Sequence, residues 1–167
     1  NVITAPGFGT LWLGRVAVLV LLMAIWLASR NETKASHFLT LATGGLITAF
    51  LISSGSHAGD DGAVTLDNLV NTAHIAAGCL WGGTIIAYIF MLKAMRRHDT
   101  AIAESATRLS TLATMALATV LTTGFINGWQ RFDALEQLWS TGYGTTLLIK
   151  LGFVAVMMMI GAFNRFH

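Results

Sequence analysis

The sequence predicts an all-α membrane protein, a bundle of about five transmembrane helices with almost no soluble part. Of the 167 residues, 54% are hydrophobic and only 11% are charged, and the mean hydropathy is +0.67. A soluble domain of this size carries about twice that share of charged residues. The charges are also confined to short segments between long apolar runs, which is the pattern of membrane spans joined by loops.

Five segments are long and apolar enough to cross a hydrocarbon core of about 30 Å. We predict one transmembrane domain over residues 1–167, with spans at about 11–28, 37–54, 69–92, 106–127 and 145–163. Thr and Gly lower the hydropathy of the second span, and Ala and Gly are frequent in the third. Because small residues let membrane helices approach closely, we expect these two helices to be central.

Loop charges predict the orientation of the bundle. Lys and Arg collect in the 29–36 and 93–108 connections, whereas the 55–68 connection has three Asp and neither Lys nor Arg. The positive-inside rule then places the N-terminus outside and the C-terminus in the cytoplasm. The bilayer is the expected partner, and the basic residues lie where topology requires them, so no nucleic-acid surface is predicted.

Two segments, 7–15 and 142–150, share a pattern of Gly, aromatic, Gly and Thr, then Leu at the seventh place and a cation at the ninth. Both open a span from the outer side, so four helices form one repeating unit, and the repeat predicts further helices beyond this chain. The cations, Arg15 and Lys150, lie about a turn below the surface. Each should snorkel to the interface or pair with an acceptor, and a functional alternative is that they line a polar vestibule that holds an anion or positions a loop. Arg15, Tyr143 and Lys150 are also possible supporting residues of a metal site.

Two of the five histidines are candidates for a metal site. His57 follows the second span, and His74 lies a turn or two into the third. Because these spans are consecutive and antiparallel, both imidazoles should lie at the outer end at similar depth. Imidazole suits copper, zinc and iron, and two His could hold Cu(I) linearly or with a third ligand. The local candidates for a third ligand are Asp60, Asp61, Asp67, Asn68 and Asn71.

Two other interpretations of this histidine pair stay open. The pair could clamp a b-type haem, although axial haem ligands usually lie deeper in a bundle. The two residues could also be separate polar groups near an interface that bond to backbone. No P-loop, dinucleotide-binding turn or carboxylate pair within a span is present, so we do not expect an enzyme.

Several motifs together resemble the CopD family of bacterial copper resistance and transport membrane proteins. They are Gly55-Ser56-His57-Ala58, the set His74, Ala77, Gly78, Trp81 and Gly83, Thr141-Gly142-Tyr143-Gly144 with Leu147, Leu148 and Lys150, and Gly161-Ala162 with Asn164-Arg165. The resemblance covers most of the chain and is best from about residue 68 onward.

The resemblance implies copper movement between periplasm and cytoplasm, often beside a small periplasmic copper-binding protein. Family members usually have about eight spans. The leading hypothesis is therefore a copper-binding membrane protein for transport or delivery. The alternatives are a non-catalytic membrane subunit of a larger respiratory or photosynthetic complex and a haem-carrying electron-transfer subunit.

Overall fold

The structure is a computed structural model, and it describes residues 8–29, 31, 34–56, 64–94, 100–131 and 134–166. These residues form helices without any strand. The helices are α1 (Phe8–Ser29), α2 (Ala35–Ser54), α3 (Leu66–Ala94), α4 (Thr100–Trp129), α5 (Gln137–Ser140) and α6 (Gly142–Phe166). Five of them are long and apolar enough to cross a membrane, which confirms the predicted all-α bundle with five spans. The orientation of the termini stays a prediction.

The helices are longer than the predicted spans, most clearly α4, which begins at Thr100 where the prediction began at 106. Its first turns are polar, and Arg108 Nη2 lies 2.7 Å from Glu104 Oε1 in an exposed ion pair four residues apart. Such pairs support helix outside the hydrocarbon core. Hydropathy therefore detected the apolar part of the helix and missed its polar extension.

The chain divides after Asn127 into two compact units. The first holds α1, α2, α3 and nearly all of α4, and the second holds α5 and α6. In the second unit the Thr141 hydroxyl donates to the carbonyl of Gln137 (2.6 Å) and accepts from the N–H of Gly144 (3.0 Å). A Cβ at Gly144 would overlap the carbonyl of Leu138, so the glycine of the repeated motif permits this close turn.

Three contacts at regular spacing join α1 to α2. They are Arg15 with Leu51, Leu22 with Gly44, and Ser29 with His37. The partners are seven residues apart on each helix, so the two helices run antiparallel in a fixed register. A seven-residue repeat is the spacing of a left-handed helix pair.

Glycine makes the middle contact possible, because a Cβ at Gly44 would overlap Cδ2 of Leu22. Within the first unit, the share of buried residues in the most apolar stretch is 17% in α2 and 11% in α3, against 6% in α4 and 0% in α1. The central position of α2 and α3 stays a prediction. The apolar side chains of α1, such as Leu19 and Val20, are largely exposed and suit contact with lipid.

Candidate metal site

Polar side chains of the first unit collect at one end of three helices, where α2 ends, α3 begins and α4 ends. The predicted ligand His57 and the supporting residues Asp60 and Asp61 belong to the connection at this end and lie outside the described residues. His74 and Asn71 are described, and both lie in this polar cluster on α3.

His74 is half-buried and hydrogen-bonded to α4. Its Nδ1 lies 3.0 Å from Oγ1 of Thr123, and that oxygen lies 2.6 Å from the carbonyl oxygen of Thr119. The Thr123 hydroxyl also lies 3.3 Å from the carbonyl of Val120. Carbonyls can only accept, so the single hydroxyl proton of Thr123 is donated to the backbone of α4. Nδ1 of His74 is therefore the donor to Thr123. In the neutral imidazole, Nε2 then carries the lone pair that a metal ion requires.

The next residue of α4 makes room for this ring. A Cβ at Gly124 would lie 3.1 Å from Cε1 of His74 and 3.5 Å from its Nδ1. The first distance is tighter than an ordinary van der Waals contact, so the imidazole rests against bare helix backbone. Thr123 and Gly124 together fix both the proton position and the place of the His74 ring.

Asn71 lies one turn before His74 on α3 and joins three helices. Its Nδ2 donates to Oγ of Ser53 (3.0 Å) and of Ser56 (3.3 Å) on the α2 side. Its Oδ1 accepts from Nδ2 of Asn127 on α4 (3.3 Å). Both ends of the amide are thus engaged with neighbouring helices, so Asn71 connects α3 to α2 and α4. Its part as a metal ligand stays a prediction.

The end of α2 and the start of α3 are also bonded directly. Ser53 and Asn68 are completely buried. The Ser53 hydroxyl donates to the carbonyl of Asn68 (3.0 Å), and Nδ2 of Asn68 donates to Oγ of Ser54 (2.9 Å). Asp67 lies in the first turn of α3, where the helix dipole favours a carboxylate. The end of α2 and the start of α3, the helix that carries His74, are therefore tightly joined.

Arg15 pairs with backbone acceptors on α2. Its Nε and Nη2 donate to the carbonyl of Leu51 at 3.0 and 2.8 Å, and Nη2 also lies 3.3 Å from the carbonyl of Ile52. Pairing with an acceptor was one of the two expectations for this cation. The acceptors are the last carbonyls of a helix, and a cation is favourable there.

Tyr143 and Lys150 lie on α6, in the second unit. With Gly142, Thr146 and Leu147 they line a shallow hollow on that helix. Both side chains are exposed in the structure. Their part in a vestibule or a metal site stays a prediction.

No group of three or more His, Cys, Asp or Glu side chains that could hold a metal ion occurs within the described ranges. Cys79 on α3 is exposed. Sequence reasoning missed Thr123, Gly124 and Asn127. One signal was available for two of them, because Thr123 and Asn127 are four residues apart and share a face of α4.

Comparisons with known proteins agree with the predicted resemblance. The family described as Copper resistance protein D matches residues 103–167. The copper transport protein CutJ of Bacillus subtilis (strain 168) is 29% identical over 162 residues, which is 93% of this chain and 30% of CutJ. The chain thus spans about a third of the length of this relative. No solved structure matches the chain significantly. The resemblance to the CopD family is confirmed, and the five long apolar helices agree with a multi-pass membrane protein.

Proposed function

We propose that this membrane protein binds copper at His74 and takes part in copper transport or delivery across a bacterial inner membrane. The observation that carries the proposal is the hydrogen-bond relay from His74 to Thr123 and on to the carbonyl of Thr119. The relay holds the proton on Nδ1 and gives Nε2 the character of a ligand.

The relay has the form that metal-binding histidines usually have. Such a histidine donates its second ring N–H to a fixed acceptor, which sets the tautomer and ring orientation and raises the basicity of the ligating nitrogen. Thr123 supplies this acceptor, and Gly124 lets the ring lie against α4.

His57 is the proposed second ligand, and Asp60 and Asp61 are proposed to attract cations to the same end of the bundle. Two imidazoles suit linear Cu(I), and copper would be the cargo of the protein. The bonds of Asn71 to α2 and α4 support a role in holding the helices around His74. The acidic connection is proposed to face the periplasm, where a small copper-binding protein could deliver the ion.

The test is Cu(I) binding by the purified protein in detergent, measured by competition with a chromophoric Cu(I) chelator without oxygen. His74→Ala and His57→Ala should each weaken binding by about tenfold or more, because each removes a ligand. His37→Ala is the matched control, since His37 contacts Ser29 at the opposite end of α2. Unchanged affinity in His74→Ala would exclude the site. A visible haem spectrum in the purified protein would instead favour the electron-transfer alternative.

Binding alone does not distinguish transport from storage. Copper uptake into inverted and right-side-out membrane vesicles that contain the protein should depend on His74. If His74→Ala abolishes binding but leaves copper flux unchanged, the protein binds copper without moving it.

A further inference from the structure

We propose that Arg15 is a positioning residue for His74 and acts through the carboxyl end of α2. This inference rests on the proposed copper site. Arg15 belongs to α1 and donates hydrogen bonds to α2, and α2 in turn holds α3, which carries His74.

The end of α2 leaves two carbonyls without their helical donors, and Arg15 supplies donors for them. In a continuing helix, the N–H of Gly55 would bond to Leu51 and that of Ser56 to Ile52. Both N–H groups turn instead to the carbonyl of Ser53. Arg15 then donates two hydrogen bonds to Leu51 and one to Ile52. The guanidinium thus ends the helix and places its charge at the negative end of the helix dipole.

The chain leaves space for the guanidinium in this place. A Cβ at Gly55 would overlap Nη2 of Arg15. Gly55 has φ −99° and ψ 13°, a conformation open to other residues, so the glycine is needed for space and not for backbone freedom. Any side chain at residue 55 would push the guanidinium away from the carbonyls.

A short route of hydrogen bonds leads from this contact to His74. The residue after Ile52 is Ser53, whose hydroxyl donates to the carbonyl of Asn68 and accepts from Nδ2 of Asn71. Asn71 precedes His74 by one helical turn. Arg15 therefore sets where α2 ends, and the end of α2 sets how α3 presents His74 to α4.

An interfacial anchor would behave differently from this arrangement. An anchoring arginine directs its donors to water and lipid headgroups, and its removal leaves the helix ends in place. Here the described contacts of Nε and Nη2 go to backbone carbonyls of another helix. Those carbonyls lie in a predicted span, where lipid offers no replacement donor.

The experiment measures Cu(I) affinity and melting temperature of the full chain in detergent for Arg15→Met, Arg15→Lys and Gly55→Ala. Arg15→Met should weaken Cu(I) binding about tenfold, within the range found for residues that orient a ligand. Gly55→Ala should weaken it in the same direction although it keeps the charge, and Arg15→Lys should recover part of the loss. The matched control is Arg131→Met, which removes an exposed cation from the connection that follows α4.

The outcomes separate this inference from the proposed function. If His74→Ala abolishes binding while Arg15→Met and Gly55→Ala bind like wild type, the copper site stands and the role of Arg15 is wrong. If His74→Ala binds like wild type, both are wrong. Arg15→Met could instead lower the melting temperature and leave the Cu(I) affinity unchanged, with the affinity measured well below the melting temperature. Arg15 would then be a purely structural residue, and the proposal would be overturned. Gly55→Ala and Arg15→Lys decide the matter if Arg15→Met does not fold.

Discussion

Replacing Thr123 with Val would remove one oxygen atom beside His74 and leave the shape of the α4 surface nearly unchanged. The hydroxyl is the acceptor for Nδ1 of His74 at 3.0 Å. Without it, the ring loses the bond that holds its proton on Nδ1, and the tautomer with the proton on Nε2 becomes accessible. That tautomer has no lone pair on Nε2 for a copper ion.

The size of the effect follows from the two roles of the hydroxyl. Loss of an acceptor that orients a metal-binding histidine typically lowers metal affinity by about 10- to 100-fold, which corresponds to about 1.4–2.7 kcal/mol. Loss of one ordinary hydrogen bond lowers the free energy of unfolding by about 0.5–1.5 kcal/mol. We therefore expect Thr123→Val to reduce Cu(I) affinity more than it reduces stability.

The assay is the Cu(I) competition titration, with the melting temperature measured on the same samples. Nitrogen-15 NMR of labelled histidine adds a direct measurement, because the two ring nitrogens report the tautomer of His74. Thr123→Ser keeps the hydroxyl and should keep the affinity. Thr119→Val is the matched control, since it removes a hydroxyl one turn away and leaves the carbonyl that accepts from Thr123. Equal Cu(I) affinity for Thr123→Val, Thr119→Val and wild type would refute the reasoning.

Three further substitutions test helix packing, two of them at this site and one between α1 and α2. Gly124→Ala puts a methyl group 3.1 Å from Cε1 of His74. It should therefore lower Cu(I) affinity about fivefold, which corresponds to about 1 kcal/mol. An affinity equal to that of the wild type would show that the imidazole ring moves away without cost. Asn71→Leu removes three hydrogen bonds that join α3 to its neighbours. Each such bond contributes about 0.6 kcal/mol in a membrane protein, so the free energy of unfolding should fall by about 2 kcal/mol. Denaturation in detergent measures this loss. Gly44→Val should destabilise the protein by about 1–3 kcal/mol, because its side chain would overlap Leu22 of α1. Gly45→Val is the control, since a Cβ at Gly45 meets nothing within 4 Å. Equal melting temperatures for the two variants would contradict the contact between Leu22 and Gly44.

The spans could be predicted from sequence because hydropathy reports the apolar part of a membrane helix directly. All five predicted segments lie within helices of the structure. The helix ends could not be predicted, because polar residues such as Glu104 and Arg108 continue α4 through an ion pair that hydropathy treats as loop. The four-residue helix α5 was missed because it is too short to show a helical period.

The candidate site was predicted on α2 and α3 and missed on α4. Consecutive antiparallel helices must bring their adjoining ends together, so the position of His74 near the end of α2 followed from chain connectivity. Which face of α4 meets α3 depends on the rotation of that helix. Most Thr residues of α4, such as Thr111 and Thr114, donate to their own helix four residues earlier. Only the position of Thr123 four residues before Asn127, on the same face of α4, distinguished it from them.

The distribution of polar contacts in the first unit favours a functional reason for the polar cluster. The seam between α1 and α2 includes a contact without hydrogen bonds, where Leu22 packs against Gly44. Close packing at small residues is thus available to this chain as a way to join helices. A hydrogen bond between membrane helices contributes only about 0.6 kcal/mol on average. Close packing could therefore give the same stability as this polar network. The chain nevertheless places Ser53, Asn68 and Asn71 at the end of the bundle that holds His74. Polar groups within membrane helices most often belong to a functional site. The contacts of this cluster lead to His74, whose Nδ1 donates to the neighbouring helix α4.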